Sequence, residues 1–214
     1  MKKVLLCGDS IKFGYQGYVT GTLEGVAEVY ALTENVRFAQ HFLRWIHEWK
    51  TNENIPEDID LVHWNVGLWD VLRIMGDDTF TTPEFYGELL KRLQNRLRLL
   101  FPNAKQVFAL STCVVEEGYQ PPFQRYNKDI ELFNEIAVKT LVPLGVEIND
   151  LNSLTKDVPK ECRSDMTHFY TEEGIKIVGG QVVKSICDCL NIPFEINEKA
   201  DASVPQLSKE LVGR

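Results

Sequence analysis

No stretch of the sequence approaches the roughly 18 consecutive apolar residues that a membrane-spanning helix needs. The apolar run behind Lys2-Lys3 covers only residues 4–7, short of the roughly 7–15 residues of a secretory core segment, so a cytoplasmic location is expected. Positive charge is scarce: 23 Lys and Arg face 31 Asp and Glu, a net charge of −8, which argues against a nucleic-acid partner. Five cysteines, Cys7, Cys113, Cys162, Cys187 and Cys189, are an odd number at irregular spacings, and reduced thiols are expected. Cys187 and Cys189 stand two apart in a helical pattern and point away from each other. The four histidines, His41, His47, His63 and His168, lack the spacing of paired ligands, so no metal site is expected. Repeats and low-complexity tracts are missing too. Apolar residues are not: they make up 44% of 214 residues, enough for one domain with a real core.

What is present alternates between two periods. Residues 4–7, 26–32, 59–65, 107–110 and 146–148 are short apolar runs that read as five strands, several of them buried on both faces. Residues 38–49, 84–101, 124–141 and 172–190 read as helices. Over 84–101, Tyr86, Leu89, Leu90, Leu93, Leu97 and Leu100 form one apolar stripe. Thr82-Pro83 is an N-cap followed by a proline at the first helical position. This alternation predicts an α/β fold of three layers, with a five-stranded parallel sheet between helices. The pattern fades past Pro193, so the domain is expected over 1–193, with 194–214 a polar extension or tail.

Ligands of such sheets bind beyond the carboxyl ends of the strands. After the first strand comes Gly8-Asp9-Ser10, a turn that can present a serine together with an amide at a helix N-terminus. A serine nucleophile needs a histidine base and an orienting carboxylate. Two Asp-x-x-His strings exist. Asp60 and His63 lie three apart on a strand and face opposite sides, which makes His63 a packing residue. Asp165 and His168 lie in a polar loop that can turn both side chains to one point. After the second strand comes Asn35-Val36-Arg37, and after the third Asn65-Val66-Gly67-Leu68-Trp69-Asp70. Both segments can offer oxyanion donors or substrate contacts. For Trp64, core packing is the simpler reading.

Together these positions resemble the SGNH hydrolase superfamily, the GDSL-type esterases. Gly8-Asp9-Ser10 is similar to its first block and Asp165-Met166-Thr167-His168 to its fifth, and the resemblance spans roughly residues 3–190. Gly8-Asp9-Ser10-Ile11 with Gly14-Tyr15, Asn65-Val66-Gly67-Leu68 with Asp70, and Ile148-Asn149-Asp150-Leu151 further resemble a bacterial carbohydrate-deacylating subgroup. The resemblance implies a flavodoxin-like SGNH fold with Ser10 as nucleophile, His168 as base and Asp165 as orienter. It implies oxyanion or substrate contacts from Val36, Asn65, Gly67 and Trp69. Two departures stand out: Val36 occupies the place of an oxyanion glycine, and Trp69 that of an oxyanion asparagine. Asn65, on the same turn, is then a substitute donor.

The expected activity is hydrolysis of a small O-acyl ester, such as an O-acetylated carbohydrate, through an acyl-enzyme. The expected partner is that small molecule, with no nucleic acid, membrane, metal or cofactor involved; a homo-oligomer is compatible with this. One alternative is a lipid-directed esterase or thioesterase, with Phe13, Tyr15 and Trp69 lining an apolar groove. Another is a non-catalytic flavodoxin-like binding module, disfavoured because Asp9 would repel a phosphate.

Overall fold

The computed structural model describes residues 1–193, 200, 202 and 203. In chain order the elements are β1 (Lys2–Cys7), α1 (Ser10–Thr22), β2 (Ala27–Ala31), α2 (Ala39–Asn52), β3 (Leu61–Trp64), β4 (Arg73–Ile74), α3 (Pro83–Leu100), β5 (Lys105–Ala109), β6 (Phe123–Gln124), α4 (Asn127–Leu141), β7 (Glu147–Asn149), α5 (Leu151–Lys156) and α6 (Glu172–Leu190).

Five strands form one parallel sheet in the order β2-β1-β3-β5-β7. α1 packs on α6, while α2, α3 and α4 pack in series, giving the two helical layers. β3 sits mid-sheet and is buried along its whole length. Its alternation sorts side chains between the layers. Trp64 meets Phe108 edge-on at 4.7 Å and Phe42 of α2 at 6.2 Å, whereas His63 meets Tyr15 of α1 on the other face at 6.1 Å.

Local chemistry sets the helix starts. Thr82 accepts from the Phe85 N–H ahead of α3, with Pro83 as the first helical residue. Asp9 accepts from the Ile11 N–H at 3.0 Å and caps α1. α2 has no cap of its own, since Phe38 precedes it. Asp70 supplies one from the loop after β3, its carboxylate accepting from the Ala39 N–H at 3.1 Å and from the Thr81 hydroxyl at 2.7 Å. The loops after β2 and β3, the two strands that flank β1, are thereby tied together.

Three features depart from the expected pattern. The helix expected over 124–141 begins at Asn127, because Phe123–Gln124 pairs antiparallel with Arg73–Ile74 as a separate two-stranded ribbon. α5 was not expected, and Asp150 caps it through the Ser153 N–H at 2.9 Å. Of the expected tail, residues 194–199, 201 and 204–214 lie outside the described residues. Ala200 and Ala202 are buried in one cluster with Tyr18 of α1 and Ile175 of α6.

The turn after β3 depends on Gly67. Its φ is +147°, and an added Cβ would strike Ser111 Oγ and lie 3.1 Å from the Tyr86 hydroxyl, which itself donates to the Val66 carbonyl. Strain and overpacking combine, so Gly67→Ala is expected to destabilise the protein by about 3 kcal/mol. Urea denaturation measures this, and a loss below about 1 kcal/mol would show that the turn relaxes freely.

Candidate active site

The strand ends place four loops side by side: 8–9, 32–38, 65–70 and 110–115 follow the aligned carboxyl ends of β1, β2, β3 and β5. The loop before α6 closes over β1. Ser10 opens α1 and is 2% exposed, its Oγ 2.8 Å from His168 Nε2. His168 Nδ1 lies 2.8 Å and 3.0 Å from the two Asp165 carboxylate oxygens. The Thr167 and His168 N–H groups also donate to Asp165 Oδ1, at 2.7 and 2.8 Å. The Asp-x-x-His string is thus a tight turn around one carboxylate.

Burial would raise the Asp165 pKa. The His168 hydrogen bond and charge, with the two backbone amides, outweigh it and bring the carboxyl down to about 2. The carboxylate stays part-exposed, at 38% of its side-chain surface, while His168 is buried. This arrangement fixes the imidazole with Nε2 toward the serine, the geometry of general-base activation.

Tyr170, which the sequence reading passed over, braces both partners. Its hydroxyl donates to the Ser10 carbonyl, and its ring lies 4.8 Å from the His168 ring at 32°. Gly14 makes room, since a Cβ there would sit 2.7 Å from the Tyr170 ring. Only its place two residues beyond His168 hinted at such a role. Lys12 was also unforeseen. Fully buried, it donates to the Leu32 carbonyl and to Gln16, lies 3.6 Å from the Phe13 ring centroid, and is lowered by burial to about 7.

The expected oxyanion donors fall differently. The Val36 N–H donates to the Gly8 carbonyl at 3.2 Å, which corrects the expectation of a free amide there. Arg37 follows with φ +54°, its N–H turned onto Asn35 Oδ1 at 2.8 Å. Asn65 is buried over Gly8 and bonds the Asp9 carboxylate, opposing the burial that raises that group. Its amide therefore supports the serine turn, which leaves one of its two N–H donors for any other acceptor. Gly67 shapes the loop, and Trp69 beside it is part-exposed. The Ser10 N–H, at the head of α1, has no acceptor among the described residues. Asp70 is pushed up to about 7 by burial, against the Thr81 and Ala39 hydrogen bonds.

His63 is remote from this chemistry. It is fully buried, 3.1 Å from Asn149 Nδ2, and burial lowers it to about 3, so it is neutral. Asp60 turns away to the Lys3 N–H and Lys2. All five cysteines are unpaired and buried. Among the described residues, no group of three His, Cys, Asp or Glu side chains converges on a metal position, and no helix is long and apolar enough to cross a membrane.

Comparison of the sequence with family models and with curated proteins finds no match. Solved structures do match. A lipase/acylhydrolase from Enterococcus faecalis superposes with a TM-score of 0.68 at 17% identity, over 88% of this chain and 97% of that one. A carbohydrate esterase family 3 protein from Talaromyces cellulolyticus gives 0.67 at 16% identity, over 89% and 99%. The acetyl xylan esterase AlAXEase gives 0.65 at 16%, over 86% and 99%. The chain has the three-layer α/β fold of these proteins, with the five-stranded parallel sheet expected from its sequence.

Proposed function

We propose that this chain is a serine ester hydrolase that cleaves a small O-acyl ester, with O-acetylated carbohydrate as the substrate class. The observation that carries this reading is the continuous relay from Ser10 Oγ through His168 to Asp165, with 2.8 Å at each step. In it, His168 Nε2 accepts the Ser10 proton as Oγ attacks the acyl carbon. Asp165 holds the tautomer and stabilises the imidazolium that forms. The Ser10 N–H, backed by the N-terminal end of α1, faces the developing oxyanion, with Trp69 the remaining contact from the loop after β3. His168 returns the proton to the leaving alcohol. A water, activated by the same imidazole, then clears the acyl-enzyme.

Support for the substrate class comes from the fold shared with an acetyl xylan esterase and a carbohydrate esterase. The test is reaction with a fluorophosphonate, followed by peptide mass analysis, alongside rates on 4-nitrophenyl acetate and longer esters. The expected result is a single adduct on Ser10 and a rate that falls as the acyl chain lengthens. An adduct elsewhere would overturn the nucleophile, and a rate rising with chain length would favour a lipid-directed esterase.

A further inference from the structure

Arg125 is an unusual cation. It is 7% exposed, in the segment between β6 and α4, and forms no ion pair among the described residues. Its Nε donates to the Leu68 carbonyl at 2.5 Å, one residue past Gly67. Its Nη1 donates to the Tyr119 hydroxyl at 3.3 Å, and that hydroxyl lies 2.6 Å from Thr167 Oγ1, one residue before His168. The guanidinium therefore spans the two loops that flank Ser10. Its charge is felt at Asp9, the residue before the serine. Nη2 has no partner among the described residues, yet it is not sealed from solvent as Arg37 Nε is. Lys12, the other buried cation near the turn, has its acceptors in Leu32 and Gln16.

A guanidinium nitrogen withdrawn from most of the solvent with no acceptor is unfavourable, and a carboxylate is its geometric complement. Resting on the hydrolase reading, we infer that Arg125 Nη2 binds a carboxylate on the substrate, so that the preferred ester carries a negative charge beside the scissile bond. The carboxylate belongs either to the sugar, as in an acetylated uronic acid, or to the acyl group, as in a dicarboxylic half-ester.

Matched pairs separate these sources. O-acetyl galacturonic acid is compared with O-acetyl galactose, and monoethyl succinate with ethyl butyrate, for wild type and Arg125→Gln. The expected result is that wild type prefers the acid of one pair, which identifies the source. Arg125→Gln should reduce that preference roughly 30- to 100-fold, the loss of one charge-assisted hydrogen bond. No preference in either pair, or an equal loss on both members, overturns the inference. Calorimetry with galacturonate and succinate on Ser10→Ala, with and without Arg125→Gln, reads the site without catalysis. Arg125-dependent binding in a protein that hydrolyses none of the esters would sustain the carboxylate site while rejecting the hydrolase. Binding that ignores Arg125 would reject the site.

Discussion

Ser10→Ala is expected to lower kcat for acetyl-ester hydrolysis by roughly 10⁴–10⁶, the scale for removing a triad nucleophile. The substitution deletes one oxygen, whose partner is His168 Nε2. What Ser10 contributes to the fold comes from its backbone: the carbonyl that receives the Tyr170 hydroxyl and the first turn of α1 capped by Asp9. Alanine keeps both. The melting temperature should therefore stay close to wild type while activity disappears. Retention of more than about a tenth of wild-type activity would remove Ser10 from the chemistry, since triad loss is far larger.

His168→Ala should be nearly as damaging, because nucleophile and base act as a unit. His63→Ala provides the contrast. Its imidazole packs between Tyr15 and Asn149, so its loss should cost about 2–4 kcal/mol of stability through a core cavity while kcat per folded molecule stays within about threefold of wild type. Equal loss of activity in both variants, each still folded, would undo the assignment. His168→Ala also has an acid-stability signature. Asp165 is held at about 2 in the folded protein, below the roughly 3.9 of an unfolded chain. The ion pair thus adds stability that is present above about pH 4 and fades as pH falls towards 2. Without His168 that increment should shrink, which acid titration of the unfolding midpoint measures.

The candidate site was unevenly legible. Ser10, Asp165 and His168 each carry a local signal, a strand end followed by a small polar turn or a three-residue acid–imidazole spacing. Val36, Asn65 and Trp69 do not. Whether an amide at position 36 is free depends on the Gly8 carbonyl arriving from β1, and whether Asn65 is a donor depends on Asp9 beneath it. β4 and β6 are two residues each and too short for a period to register. Tyr170 belongs to a loop where no periodicity exists, and Arg125 is hidden in a stretch that reads as the start of the helix that begins at Asn127.

The sequence by itself determined that strands alternate with helices, that α3 starts at Thr82-Pro83, and that His63 cannot pair with Asp60. Those facts follow from near-neighbour geometry, period and capping, which operate over a few residues. Only the tertiary structure decided which loops meet. The order β2-β1-β3-β5-β7 brings residue 10 to residue 168 and residue 125 to residue 68. Contacts across such separations are selected by how whole layers bury their apolar faces, and no local pattern encodes that choice.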